Sequence, residues 1–596
     1  MSATGQHGTG ARSGDLSAPL RHLPRITGSW PRLPSAPGAL SAFGVYLALA
    51  LLWYRAAVAH MGSSCTCVLP GDAASIAWAL EWYPHALIHG LNLLHAHAMW
   101  TPTGINLAGA TAVPLLAFLV APVTAVWGPV VAYNVLTIAA PVTGAWACFW
   151  LCRYVTRAPW ASILAGAIYG FGTYEIAQNN GHLQMAVTVV PPLLALAVLR
   201  HLQGRTGRRR LLLELSVLLL AQMFIGLELL FTMSVLGACA MALAWLLGNQ
   251  ELRTRLVATL PVVIGAYLIV FALSSWYVYA FLHAPNYNRD IGFRFYPTDL
   301  LSFVTPMPYS WVLGGRFAAV SALFPAGPGE TDAYLGLPLI LVVAHYLTTH
   351  WQRRSSRWIA ATLAVAMLWV LGVSLEVAGK PTVWLPYALI APLPGFNAVM
   401  QGRVALYITL LCAVVLAMWL SSSRAHPVLS WTVALLALAF VLPNLAQPFQ
   451  GQNTTWTNPS FFRTGMYMRY LRRGETIMPI AWGGFSESPM WQAEDHMYWN
   501  MANGYFLTRP PSGWADPLTT DLWLDRPRIG DWRFLRPFTA AHGVSAIIVQ
   551  SAELQRWAPV LRRAGLGAPV SRGGVALFEV PASWRASAGG AQPQPL

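Results

Sequence analysis

The chain has 596 residues, 56% of them hydrophobic and only 10% charged, with a formal net charge of +15. Its mean hydropathy of +0.49 excludes an ordinary soluble domain and defines a polytopic membrane protein. Topology and contact with anionic lipid headgroups explain the positive charge, so nothing in it calls for nucleic acid.

The first 42 residues are polar and rich in Pro and Gly, with Arg12, Arg21, Arg25 and Arg32. They read as a cytoplasmic tail, and the apolar run after them has span length and stays as an anchor rather than a cleaved signal. A span needs about 20 mostly apolar residues. Such runs recur at 43–61, 129–151, 159–174, 183–200, 211–231, 232–248, 256–276, 336–351, 358–378, 404–420 and 427–443. The expected fold is therefore an all-α membrane domain of about 11–13 transmembrane helices over 43–443. The Arg-rich loops, above all Arg200, Arg205, Arg208, Arg209 and Arg210, then Arg253 with Arg255, Arg353 with Arg354 and Arg357, and Arg424, all face the cytoplasm if the N-terminus is inside. Parity holds if 106–126, interrupted by Pro114 and Pro122 and followed by Pro129, is a re-entrant or juxtamembrane hairpin; otherwise the Arg153 and Arg157 loop breaks the charge rule.

This orientation places 62–105, 277–335, 379–403 and everything after about 444 outside. Between Asp15 and Glu175 the chain carries only two acids, Asp72 and Glu81, both just beyond the first span. Residues 70–105 carry Trp78, Trp82, Tyr83 and Trp100 among His85, His89, His95 and His97. They predict one or two helices lying on the outer leaflet, split near Pro84 and Gly90. Asp72 falls at an N-cap position, where backbone N–H groups would hold its carboxylate. Taken alone it reads as that cap; a functional role gains weight from its neighbours on the same side. No metal site is expected, because the histidines lack a carboxylate-rich or HExxH pattern. Cys65 and Cys67, one residue apart, are poorly placed for a mutual bridge.

The turn 172–185, GTYEIAQNNGHLQM, is more polar than a plain connector needs to be. Glu175, Asn180, His182 and Gln184 are candidate substrate contacts: Glu175 for a sugar hydroxyl, His182 for a phosphate or an acceptor. Helix caps and a hydrogen-bonded turn explain the same residues equally well. Glu228 is a carboxylate in apolar sequence near the outer end of a span, a placement that is usually functional or paired. Arg403, at the outer start of another span, suits a phosphate oxygen or snorkels to lipid headgroups. In the 277–335 loop Tyr287, Tyr296, Asp290 and Asp299 are weaker candidates for a sugar site, and Arg289, Arg294 and Arg316 for a phosphate. Residues 444–583 form a less hydrophobic extracytoplasmic domain. Strand-like runs at 478–482, 545–550 and 575–581, with a helix-like segment between the last two, predict a small α/β module. It has no phosphate-binding Gly loop or nucleophile elbow, so its expected work is to bind, cover or assemble. Residues 584–596 read as a disordered tail.

GDAASIAWALEW after the first span, YGFGTYEIAQNNGHLQM across a later turn, the GLPLI span, LPGFNAVMQGRVALY and the C-terminal domain together resemble the GT-C glycosyltransferases, and among bacterial proteins the YfhO-type membrane proteins. The resemblance implies a polyprenyl-phosphate-linked sugar donor, an extracytoplasmic glycan, lipid or protein acceptor, and no cofactor. It also implies that the acid of the first outer loop, here Asp72, is the catalytic base, that Glu81 is the candidate assisting acid, and that Arg403 contacts the donor phosphate. The competing readings are a transporter or flippase of lipid-linked saccharide, disfavoured by the lack of an internal repeat, and a non-catalytic envelope assembly protein.

Overall fold

The computed structural model describes residues 38–65, 67, 70–110, 112–284, 296–326, 330, 333–423, 426–444, 454–455, 457–481, 486–506, 510–511 and 517–585. The expectations for the N-terminal tail and its arginines, for Tyr287, Arg289, Asp290, Arg294 and Arg424, and for the tail beyond Arg585 lie outside the described residues.

Each of the eleven apolar runs contains helix. Among the described residues five helices are long and apolar enough to cross a membrane: Pro114–Thr156, Leu183–Leu202, Leu227–Leu247, Gln250–Leu273 and Gln401–Ser422. Others are shorter, among them Ala39–Trp53, Leu337–Thr349 and Pro427–Val441. Leu213, Leu246, Val257 and Leu268 remain 58–65% exposed on helix faces, as a lipid-facing surface requires. Two breaks differ from the sequence expectation. The chain turns at Gly226 rather than near residue 231, and the run 358–378 ends its helix at Val370 and continues as a hairpin, Ser374–Val377 against Lys380–Trp384. The stretch before residue 127 is helical and joins the next span through Gly128, whose φ of 85° breaks the 43-residue helix.

Small residues bring helices close. A Cβ on Gly166 would lie 2.6 Å from the Ala145 carbonyl oxygen, and one on Gly170 2.6 Å from the Ala145 Cβ. Packing of this kind holds helix pairs together in lipid, where hydrophobic burial gives no drive.

The C-terminal region forms a five-stranded sheet in the order Val570–Arg572, Val575–Glu579, Ala546–Gln550, Thr476–Ile480, Asn500–Met501. The first two pairings are antiparallel and the last two parallel. Its strands match the three predicted runs, and the helix Leu554–Arg563 lies where the sequence placed one.

Three local expectations are corrected. Residues 70–88 form one helix that runs through Pro84 and ends before Gly90, whose φ is 65°. That helix does not lie on a membrane surface: it is sandwiched between the Pro114–Thr156 helix and the Ser488–Glu494 helix. Trp78, Trp82 and Tyr83 are therefore at most 2% exposed core residues; Trp78 stacks on Trp82 and meets Phe506 edge-on. Cys65 and Cys67 do form a disulfide, because the chain there holds their Cα atoms 5.4 Å apart, within the usual range for a bridge.

Candidate active site

Three of the long apolar helices present their N-terminal ends to one polar cluster. His182 immediately precedes Leu183–Leu202, Glu228 sits in the first turn of Leu227–Leu247, and Arg403 in the first turn of Gln401–Ser422. Helix N-termini carry partial positive charge, so this end of the bundle favours anions.

The side chains form a chain of contacts. Asp72 Oδ2 lies 3.3 Å from His182 Nε2, and His182 Nδ1 lies 3.4 Å from Glu330 Oε1. Glu330 receives a two-pronged grip from Arg403, Nη2 to Oε1 at 2.6 Å and Nε to Oε2 at 3.1 Å, and a third bond from the Gln178 amide at 3.1 Å. Arg403 Nη1 donates to Glu228 Oε2 at 2.6 Å, whose other oxygen accepts from the Met400 N–H at 3.1 Å. At the far end the Tyr505 hydroxyl donates to Asp72 Oδ1 at 2.8 Å. Side-chain exposure falls along the line, from 32% at Asp72 and 22% at His182 to 9% at Glu330 and 7% at Arg403. The open end of the cluster is Asp72.

Burial alone would raise the Asp72 pKa. The bonds from His182 and Tyr505, with the fields of His182 and Arg403, outweigh it and hold the carboxyl below its ordinary value. Burial likewise opposes charge on His182, but Glu330 and Asp72 on either side raise its pKa. Glu330 is kept low against its own burial by Arg403 and His182. Acidic and basic side chains thus alternate along the line Asp72, His182, Glu330, Arg403, Glu228.

The sequence-predicted residues divide accordingly. Asp72, His182, Glu228 and Arg403 are brought together. Asp72 is not an N-cap: it is the third residue of its helix, and side chains rather than backbone N–H groups bind it. Glu81 is corrected. It lies nine residues after Asp72 on a continuous helix, hence about 13 Å along the axis and on the opposite face, where it meets His496 Nδ1 at 2.9 Å. Glu175 is fully buried, accepts a bond from Thr188 at 3.3 Å, and burial pushes its pKa well up. Asn180 is 7% exposed and neither atom of its amide has a partner among the described residues; Gln184, 5% exposed, leaves its carbonyl oxygen without one there. Asp299 is a structural cap on the Leu301 and Gly379 N–H groups, and Arg316 is exposed. Tyr296 lies within electrostatic range of Asp72, Glu330 and Arg403. Among the described residues no three or more His, Cys, Asp or Glu side chains converge as metal ligands.

Two residues of the cluster were missed. Glu330 stands in a Gly- and Pro-rich loop with no periodicity to single it out, although an acid in that loop was the available signal. Tyr505 comes from the C-terminal region, 433 residues beyond its partner, and no local pattern announces such a contact.

No curated protein matches the chain significantly. Among solved structures, the arabinofuranosyltransferase AftD from Mycobacteria aligns over 92% of this chain and 40% of its own, at 13% identity and TM-score 0.53. This chain thus spans about 40% of the length of that protein. The oligosaccharyltransferase AglB from Archaeoglobus fulgidus, in complex with an inhibitory peptide and a dolichol-phosphate, aligns over 91% of this chain and 74% of its own, at 12% identity and TM-score 0.49. ArnT from Cupriavidus metallidurans, bound to undecaprenyl phosphate, aligns over 94% and 100%, at 12% identity and TM-score 0.45. At such identity the likeness to AftD concerns the fold, which is of the GT-C type. Residues 43–443 match the model of a family described as a domain of unknown function, DUF6311, and the chain belongs to that family.

Proposed function

We propose that this protein is a membrane glycosyltransferase that moves a sugar from a polyprenyl-phosphate donor to an extracytoplasmic glycan, lipid or protein acceptor. The observation that carries this reading is the Asp72 carboxylate, kept ionised at the open end of a buried charge cluster, within a GT-C fold. In an inverting displacement Asp72 takes the proton of the acceptor hydroxyl as its oxygen bonds to the anomeric carbon. The anomeric C–O bond breaks, and the polyprenyl phosphate leaves with the electron pair.

The phosphate contact expected of Arg403 is better assigned to His182. Arg403 is held by Glu330 and Glu228 at 2.6 Å each, whereas His182 faces Asp72 and Glu330 at the longer distances of 3.3 and 3.4 Å and is the more exposed of the two beside the proposed base. Arg403 then acts through Glu330, which orients the imidazole. The helix N-termini at this end supply further stabilisation of the departing phosphate. Asn180 and Gln184, with unpartnered amide atoms, fit the hydroxyls of the sugar. The YfhO-like layout of the sequence agrees with a role in the bacterial envelope.

The test is transfer from a panel of polyprenyl-phosphate sugars by the purified chain and by Asp72→Asn. Loss of at least 100-fold, the lower range for a proton-transfer group, is expected in the variant. Undiminished transfer would remove Asp72 as the base. Failure of wild type with every donor, together with movement of a lipid-linked saccharide across vesicles, would favour the flippase.

A further inference from the structure

The C-terminal region does not cover the cluster from a distance; it is stitched into it. Gln492 accepts from Trp78 Nε1 at 2.6 Å, and its amide nitrogen donates to the carbonyls of Ala98 at 2.8 Å and Trp499 at 2.6 Å. Residues 98–101 and 501–504 run side by side: Met501 N–H donates to Ala98 O at 2.8 Å, Thr101 N–H to Met501 O at 3.0 Å, and Trp100 Nε1 to Gly504 O at 3.0 Å. Ser75, one turn beyond Asp72 on the same helix, donates to the Tyr505 carbonyl at 2.7 Å and to Gly71 O at 2.9 Å. The Tyr505 ring packs on Trp523 at 5.4 Å. The backbone of Tyr505 is thereby fixed against the helix that carries Asp72, and its hydroxyl donates to Asp72 Oδ1.

We infer that Tyr505 is a positioning residue for the proposed base, and that the C-terminal domain is a structural part of the active site. The inference rests on the glycosyltransferase reading for its functional meaning. Of the two Asp72 oxygens, Oδ1 is occupied by the phenol and Oδ2 faces His182. Tyr505 therefore fixes the carboxylate rotamer, so that Oδ2 and its free lone pair are presented on the His182 side, where acceptor and donor phosphate must meet. A carboxylate held by one donor from each side has little rotational freedom, and orientation is a large part of what an enzyme supplies to a displacement. The phenol also favours the ionised form of Asp72. The groups facing Asp72 are His182 from the turn before Leu183, Arg403 from the 401–404 turn, Tyr133 from the Pro114–Thr156 helix, Tyr296, and Tyr505. Among them only His182 and Tyr505 bond the carboxylate directly in the described residues.

The experiment uses the full chain with Tyr505→Phe, which keeps the ring on Trp523 and removes only the hydroxyl. Two readouts are taken across pH: sugar transfer, and labelling of Asp72 by a carbodiimide with glycine ethyl ester, read by peptide mass spectrometry. The carboxyl oxygen adds to the carbodiimide carbon while the carboxyl proton goes to the diimide nitrogen, and the amine of glycine ethyl ester then displaces the urea. Labelling therefore falls as Asp72 loses its proton, and its midpoint relative to wild type reports Asp72 protonation whether or not the protein transfers sugar. The expected result is a midpoint raised by about one pH unit, the size of one lost bond to a charged oxygen. The acid limb of the kcat profile moves with it and KM for the donor is little changed. Midpoint and limb both coinciding with wild type overturn the inference. If wild type transfers no sugar, the glycosyltransferase reading fails while labelling still decides the contact. Should Tyr505→Phe not fold, Ser75→Ala loosens the Tyr505 backbone; a shift of the same sign supports the inference and none overturns it.

Discussion

Replacing Arg403 with methionine keeps an unbranched apolar stem and removes the guanidinium that binds both Glu228 and Glu330. At 2.6 Å and an effective dielectric of about 20, each close contact is worth about 6 kcal/mol of Coulomb energy. Most of that offsets the cost of taking the groups out of water, since the three side chains are only 7%, 16% and 9% exposed. The desolvation is already suffered in the folded protein, so deleting one partner exposes it, and Arg403→Met is expected to cost about 3–5 kcal/mol. Adding Glu330→Gln and Glu228→Gln removes the stranded charges and should recover most of the loss. The sign of the pH effect is also fixed. Without Arg403, burial lifts the Glu330 pKa above its unfolded value, so the variant holds more protons folded than unfolded and its stability falls as pH rises. The single variant should therefore lie closer to wild type at pH 5 than at pH 8. Thermal unfolding of the three proteins in detergent, followed by tryptophan fluorescence, measures this. A single variant as stable as wild type, or a triple variant less stable than the single, refutes the reasoning.

Other expectations follow from the same geometry. Glu81→Gln should leave the pH profile of transfer unaltered and weaken only the contact with His496, by about 1 kcal/mol or less at so exposed a pair. The bond from Glu81 raises the His496 pKa, so this loss is present below about pH 6.5 and vanishes as pH rises through the raised value; thermal midpoints at pH 5.5 and 9 check it. Burial lifts Glu487 and Glu494 to about 7 and Asp495 to about 8. Raised acids contribute stability that is full below their unfolded pKa of about 4 and lost as pH rises to 7–8, so unfolding of the C-terminal region should become easier across that window, and Glu494→Gln should flatten the slope. Gly170→Ala places a Cβ 2.6 Å from the Ala145 Cβ and should cost about 1–3 kcal/mol by overpacking, measured by the same thermal assay with Gly128→Ala excluded as a control because of its positive φ.

Much of the site was legible because charge is rare in apolar sequence. Asp72, Glu228 and Arg403 stood out for that reason, and the polar 172–185 turn marked His182. What the sequence hid was pairing. Arg403 looked like a free cation because its two carboxylates stand 175 and 73 residues away. Glu81 looked like a helper to Asp72 because both are acids of one loop; nine residues of continuous helix between them put them on opposite faces. The tryptophans of 78–100 suggested a membrane interface, yet apolar aromatic sequence is equally suited to a domain contact, and Gln492 and Phe506 were the residues that claimed it. The strands of the C-terminal sheet were readable because β-branched runs report themselves locally.

The contact between Asp72 and Tyr505 also has a consequence in time. The two residues are 433 positions apart, and ribosomes add roughly 5–20 residues per second. About 20–90 s therefore pass between synthesis of the acid and synthesis of the phenol that holds it. During that interval the helices can insert and pair, but the acid lacks its fixed orientation. The contact between Asp72 and Tyr505 therefore forms late, and a truncated translation product would reach the membrane without it.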